Sequence, residues 1–209
     1  MQSAQEMVAT FRTAAEKVSA IVSEVSSLEQ ALDYTVQLCD GKEACQLLIS
    51  GCEAPLSTSA HALCDHKQQK LIAAPELTEN AKRGLTERCA KYGIGFVDDG
   101  LREHMAGIDI GLTMVDYGIA ETGTLVIDSS SEAVRLATMV SEVHVAVLPK
   151  SRIRATALDL ETELRDLMQS APNYAAFITG ASRTADIERV LALGVHGPLE
   201  LHILLLEDI

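Results

Sequence analysis

Thr179-Gly180-Ala181-Ser182-Arg183-Thr184-Ala185-Asp186-Ile187-Glu188 is the stretch that decides how this chain is read. Ahead of it, Tyr174 to Ile178 reads as a buried strand. Behind it, Ile187, Val190, Leu191 and Gly194 recur at helical spacing. The pattern predicts a strand, a turn at Gly180, and a helix that opens around Thr184 and stops at Gly194. Backbone N–H groups at such a helix start lack partners and point one way. Together with the helix dipole they favour an anion. Arg183 adds a planar, permanently charged fork that suits a carboxylate or a phosphate. The same residues also suit a purely structural turn, with Ser182 or Thr184 as cap, Asp186 complementing the dipole and Arg183 paired to a neighbouring carboxylate. Val195-His196-Gly197-Pro198 then leads into a last apolar run, Leu199 to Leu206.

Outward from that unit, strands and helices alternate. Strand candidates are Ala44–Ile49, Leu71–Ala74, Ile94–Val97, Ile108–Val115, the two halves of Asp116–Asp128, and Val143–Leu148. Helix candidates are Leu28–Cys39 behind Ser27, a segment from Pro75 to about Tyr92, a short turn at Gly100–Met105, Ala133–Val140, and about Thr156 to Gln169. The strands are continuous apolar runs, the mark of a largely parallel sheet covered by helices on both faces. Ligands of such sheets sit at the carboxyl ends of strands. Residues 2 to about 26 carry a long apolar stripe and are predicted to form one helix. That stripe serves either a fold-back onto its own domain or a contact with a second copy of the chain. The expected division is an N-terminal helical region, 1–39, and an α/β domain, 40–209.

Bulk properties narrow the partners. The chain has 209 residues, a net charge of −13 and no Trp, with aromatic residues at 3%. That length suits one domain, and its core must be aliphatic. The acidity argues against nucleic acid and anionic membrane surfaces. The first residues lack the pattern of a secretory signal, and no run approaches the length of a membrane span. The expected location is the cytoplasm. Cys39, Cys45, Cys52, Cys64 and Cys89 form no C-x-x-C pair, which fits reduced thiols and counts against a cofactor or an iron–sulfur cluster held by this chain. His61, Cys64 and His66 match no structural zinc spacing, so no metal site is expected.

A second stretch, Asp116-Tyr117-Gly118-Ile119-Ala120-Glu121-Thr122-Gly123-Thr124-Leu125-Val126-Ile127-Asp128, brings two strands to a polar kink. Glu121, Thr122 and Thr124 gather there, beside glycines that tolerate unusual backbone geometry. This is either a tight β-connection or a place where Glu121 serves as a site carboxylate. His144 lies inside an apolar run and reads as a core histidine. Lys150, Arg152 and Arg154 form a basic cluster, either a solvated edge or a rim that draws in anions.

Tyr117 to Val126, the Val143–Val147 strand, Ser182-Arg183-Thr184-Ala185-Asp186-Ile187-Glu188 and Gly194-Val195-His196-Gly197-Pro198 together resemble the LUD domain family, associated with lactate utilization. The resemblance covers about residues 40 to 207. It implies an α/β fold similar to the ribose-5-phosphate isomerase, glucosamine-6-phosphate deaminase and CoA-transferase group. It also implies a component of L-lactate oxidation to pyruvate that works beside iron–sulfur partner proteins. Ala181 stands where relatives often carry Pro, which loosens the loop. Longer relatives append a ferredoxin-like cysteine cluster, so the chain resembles the short, cluster-free component that depends on a partner for electron transfer. Chemistry and these motifs nominate Glu121 and His196 as catalytic. Thr122, Gly123, Gly180, Ser182, Arg183, Thr184, Asp186 and Gly197 are the expected ligand-binding residues, for a small anion. A stand-alone isomerase or CoA-transferase-like enzyme using Glu121, and a non-catalytic sensor or assembly module, are the alternatives.

Overall fold

A computed structural model describes residues 3–44, 69–104, 107–169, 171–184, 192–193 and 197–208. Side chains at 183, 184, 192 and 193 are outside that description, as are the strand expected at 44–49 beyond residue 44 and the His61, Cys64 and His66 set.

Helix α1, Ala4–Lys17, opens with a capping box in which Ser3 and Glu6 each accept from the other's backbone N–H. The predicted single helix over 2–26 is corrected at this point. Ser19 takes φ +64° and the chain turns into strand β1, Ala20–Val25. The stripe Ile21, Val22, Val25 fits either period. β1 pairs in parallel along its whole length with the last strand, β12, Glu200–Leu206, from Ala20 opposite Leu201 to Val25 opposite Leu206. That ladder, and the β-branched residues in it, outweigh the helical spacing.

Helix α2, Leu28–Gly41, is capped by Ser27, whose side chain accepts from the N–H of Gln30. Strand β2, Leu71–Ala73, helix α3, Glu79–Lys91, and strand β3, Gly95–Val97, follow. α3 begins later than the sequence predicts because Thr78, not Pro75, supplies the cap, accepting from Ala81 N–H. Strand β4, Ile108–Met114, leads to the hairpin β5, Tyr117–Ile119, and β6, Thr124–Asp128. Helix α4, Glu132–Met139, strands β7, Ser141–Pro149, and β8, Ile153–Arg154, helix α5, Glu161–Leu167, and strand β9, Ala175–Ile178, bring the chain to its closing part.

Six strands form one all-parallel sheet in the order β1-β12-β7-β4-β2-β3. One face is packed by α2 and α3 through Leu32, Val36, Leu85 and Ile110; the other is covered by α1 and the hairpin through Phe11, Ala15, Leu125 and Leu148. The expected helix-covered parallel sheet is therefore the architecture. A second sheet, β8-β5-β6-β9, was not foreseen: β9 joins β6 there in an antiparallel ladder. No helix among the described residues is long and apolar enough to cross a membrane.

His144 is the core histidine its apolar setting suggests. It is buried on β7, hydrogen-bonded to the Thr113 hydroxyl at 2.8 Å, and burial pushes its pKa from 6.5 down to about 4. A base whose folded pKa is depressed stabilises the fold in its neutral form. That contribution is complete above about pH 6.5 and is lost as pH falls towards 4, at up to about 1.4 kcal/mol per pH unit for one proton. His144→Gln is expected to flatten the fall in unfolding free energy between those pH values, read by urea denaturation at a series of pH values.

Candidate functional site

Two glycines set the geometry. Gly123 follows the β5 strand at φ +66°, and an added Cβ there would lie 2.2 Å from the backbone nitrogen of Ala15. Gly180 follows β9 at φ +75°, and its Cβ would meet the Val18 carbonyl oxygen at 2.3 Å. Both loops therefore rest directly on the end of α1, and a side chain at either place would push them off. With the loops seated, Thr124 Oγ1 lies 2.7 Å from Thr122 Oγ1 and 2.8 Å from Thr179 Oγ1. The two stretches singled out from the sequence, 55 residues apart at Thr124 and Thr179, meet through three hydroxyls.

Past Gly180, the Ser182 N–H donates to the Pro198 carbonyl at 3.0 Å, and Gly197 stands against the Ser182 side chain. Gly180, Ser182 and Gly197 line one cleft of about 370 Å³, with Arg135, Thr138 and Met139 of α4 across from them. Glu121 and Thr122 line a different hollow, of about 540 Å³, beside Thr10, Thr13 and Lys17 of α1. Of the predicted site residues that are described, Gly180, Ser182 and Gly197 thus lie at one hollow and Glu121 and Thr122 at another. The reason is local: Glu121 Oε1 turns to accept from the Ala157 N–H at 3.2 Å, at the start of a 3₁₀ turn spanning Ala157–Leu160. Gly123 is buried against the backbone of Ala15 and lines neither hollow.

Arg183 and Thr184 do not open a helix. They form strand β10, Arg183–Thr184, antiparallel to β11, Ala192–Leu193, with Arg183 opposite Leu193. The helix expected to open around Thr184 and run to Gly194 is corrected at Arg183–Thr184 and Ala192–Leu193, which are strand, while residues 185–191 lie outside the described set. The side chains of Arg183 and Thr184, and Asp186 and His196 altogether, fall outside the described residues.

Arg135 is the cation that sequence reasoning passed over. Its guanidinium donates to the carbonyls of Ser129, at 2.5 Å, and Ser130, at 3.0 Å, and stands 5.9 Å from the centre of the Tyr174 ring. The signal was a lone arginine one turn into a helix that follows a serine-rich turn, a pattern too common to single out.

Charge inventory separates three hollows. The largest, about 810 Å³, lies between α1 and the ends of β1, β7 and β12. It holds Arg12 and Lys150, but also Glu24, Glu207 and Asp208. Lys150 bridges Glu24 at 2.7 Å and Glu207 at 3.0 Å, and Arg12 binds Glu24 at 2.6 Å. The remainder of the predicted basic cluster is engaged as well: Arg152 and Arg154 lie over the Tyr117 ring, and Arg154 faces Glu163. The 540 Å³ hollow carries one lysine and one glutamate. The 370 Å³ cleft alone among these three has a cation and no carboxylate among its described lining residues.

Carboxylates collect elsewhere, at the carboxyl ends of β2, β4 and β6. Asp116 accepts from the Asp128 N–H at 2.6 Å, and Glu76 takes φ +64° nearby. Burial, and then the charge of Asp128, hold the Asp116 carboxyl above its ordinary range; burial, and then Asp128 and Asp116, do the same to Glu76. Among the described residues, no group of three or more acidic, histidine or cysteine side chains is arranged to hold a metal ion.

Two outcomes follow. An acid raised in the folded state costs stability once ionised and costs nothing when protonated in both states. Asp116→Asn keeps an acceptor for the Asp128 N–H and should raise Tm at pH 8 by about 2–4 °C, a gain that disappears at pH 3. Gly123→Ala should lower the unfolding free energy by about 2–4 kcal/mol in urea titration, from the clash with α1 and the left-handed backbone together.

A profile of the LUD domain matches residues 8–206. A protein of Exiguobacterium sp. named lactate utilization protein C is 38% identical over 112 residues, covering 52% of this chain and 48% of its own. The Bacillus subtilis protein of that name is 32% identical over 103 residues, covering 48% and 43%. YkgG of Escherichia coli, uncharacterized, is 27% identical over 186 residues, covering 82% and 80%. The chain thus spans about half the length of the lactate utilization proteins. The crystal structure of a DUF162 family protein from Deinococcus radiodurans superposes with a TM-score of 0.58 over 99% of both chains at 15% identity, a likeness of fold. With a profile match across nearly its whole length, the chain belongs to the LUD domain family.

Proposed function

We propose that this chain is a component of an L-lactate utilization system, taking part in the oxidation of L-lactate to pyruvate beside iron–sulfur partner proteins, with a small anion held in the 370 Å³ cleft. The observation that carries the ligand half of this reading is the cleft's charge. In a chain with 30 acidic and 17 basic side chains, Arg135 faces a cavity lined by Gly180, Ser182 and Gly197 and by no described carboxylate. A guanidinium so placed attracts a carboxylate. The pathway half draws on the names of the relatives.

The need for a redox partner is consistent with the described thiols. Burial pushes Cys39 up to about 12 and Cys89 up to about 11, so neither offers a thiolate near neutral pH. In this reading the electrons leave through the partner, and the present chain contributes the anion site and a docking surface. The acceptor bond from Glu121 to Ala157 places that carboxylate at a turn, away from Arg135's cleft. A stand-alone enzyme with Glu121 as base would therefore work from the other hollow.

Deleting the gene in its native host should abolish growth on L-lactate as sole carbon source, and the tagged chain should co-purify with an iron–sulfur protein. Complementation with Arg135→Gln should restore folded protein but slow growth at least several-fold. Undiminished growth of the deletion strain on L-lactate overturns the pathway assignment. Full rescue by Arg135→Gln overturns the cleft as its ligand site.

A further inference from the structure

The cleft beside Arg135 has a second character that a small hydroxy acid does not use. The chain has seven aromatic residues, four Tyr and three Phe. Two of them, Tyr174 and Phe177, line this one cleft, together with Met139. All three lie open to solvent, at 56%, 51% and 58% exposure. A large apolar side chain left in water forgoes about 1.5–3 kcal/mol of burial, so three at one mouth mark a surface that is covered in use. The backbone sets this up. In β9, Ile178 packs into the core beneath the hairpin, while the alternation of the strand turns Phe177, opposite Val126, to the outer side. Tyr174 is held at the same edge because its carbonyl accepts from the Ser129 N–H at 2.7 Å, under the Arg135 guanidinium. The volume, about 370 Å³, falls in the range of sites that take ring-sized ligands.

We infer that the cleft between α4 and β9 binds a ring-bearing anion, its carboxylate or phosphate at Arg135 and its planar apolar part on Tyr174, Phe177 and Met139. This rests on the reading of the cleft as an anion site and narrows the class of its occupant. The three anchors divide the work by chemistry. Arg135 is fixed by two carbonyls, so its remaining N–H groups are aimed rather than mobile. The hydroxyl of Thr138 and the polar turn from Thr179 to Ser182 supply hydrogen-bonding groups beside it. The aromatic faces recognise any flat ring, which makes the site selective for shape and charge more than for one substituent pattern.

The test is binding by the full-length chain, followed by calorimetry, with naphthoate and AMP as ring-bearing anions and L-lactate and inorganic phosphate as ringless ones. The expected result is saturable binding of naphthoate or AMP at least tenfold tighter than of either ringless anion. Phe177→Ser, an exposed change that should leave the fold intact, is expected to weaken it by about tenfold, the loss typical of removing a stacking face. Arg135→Gln should weaken it similarly, with circular dichroism confirming that the variant is folded. L-lactate or phosphate binding as tightly as the ring-bearing anions, with no effect of Phe177→Ser, overturns the inference and leaves the small-anion site standing. Ring-bearing anions that bind regardless of Arg135→Gln overturn it from the other side, as a site for rings without charge. Binding of none of the four at millimolar concentration overturns the inference and the anion site together, while the growth experiment still decides the pathway.

Discussion

The insertion of β12 between β1 and β7 is the constraint on which the rest of the structure depends. The last described strand of the chain lies in parallel register with the first, Val25 opposite Leu206, and with β7, Pro149 opposite Leu206. Its residues from Leu201 to Leu205 are buried, so the ladder is formed inside the core and not at an edge. Without β12, β1 has no partner among the described strands of the sheet, and α1, which packs over that face, loses its platform. Pairing across the length of the chain closes the largest loop available, and its entropy is recovered only when the apolar faces come together. The cleft inherits this dependence. Gly123 and Gly180 seat their loops on Ala15 and Val18, so the site loops are positioned by a helix that the chain's two ends hold in place.

How much of this the sequence disclosed can be judged from particular residues. The apolar runs at 71–74, 108–115, 143–148 and 199–206 gave strands where they were expected, because a buried parallel strand is apolar on both faces and leaves little else for such a run to be. Helices with explicit caps, at Ser27 and Thr78, were found within a few residues. The failures came where two periods fit one stretch. Ile21, Val22 and Val25 satisfy a helix, and only pairing with Leu201–Leu206 decides for a strand. Arg183 and Thr184 fit a helix start, yet they themselves pair as strand with Leu193 and Ala192. In the first case the deciding partner lies at the other end of the chain, where a local pattern carries no information.

The site was legible in part for the same reason. Glycines mark close approaches, so Gly123, Gly180 and Gly197 stood out, and all three lie at contacts between separate segments. Threonines 122, 124 and 179 were suggestive only as polar residues, and their joining into one hydroxyl chain depends on β9 pairing with β6. Arg135 was inconspicuous because the far wall of the cleft it faces comes from a distant part of the chain. Its value comes from Tyr174 and Gly180, some forty residues on. Glu121 was the opposite case: conspicuous in its motif, it is drawn to the Ala157 N–H by a turn that no inspection of its own neighbours reveals.

Charge ties these observations into a physical picture of the molecule. Most described cations of this acidic chain sit beside carboxylates: Arg88 with Glu29 and Asp33, Lys42 with Asp109 and Glu142, Arg12 and Lys150 with Glu24. A cation so neighboured presents little field to an incoming ligand, because its partner cancels it within a few ångströms. Arg135 is held instead by neutral carbonyls, and the nearby carboxylate whose proton affinity it lowers, Glu132, is engaged first by Arg102. Carbonyl ligation fixes the guanidinium without neutralising it. In the function proposed above, an anion drawn to the Arg135 cleft is repelled by the carboxylates elsewhere on this acidic chain, and the aromatic mouth favours those anions that carry an apolar face. Selectivity in such a site arises from the surrounding acidity as much as from the arginine, since the same cation on a neutral protein would not stand out.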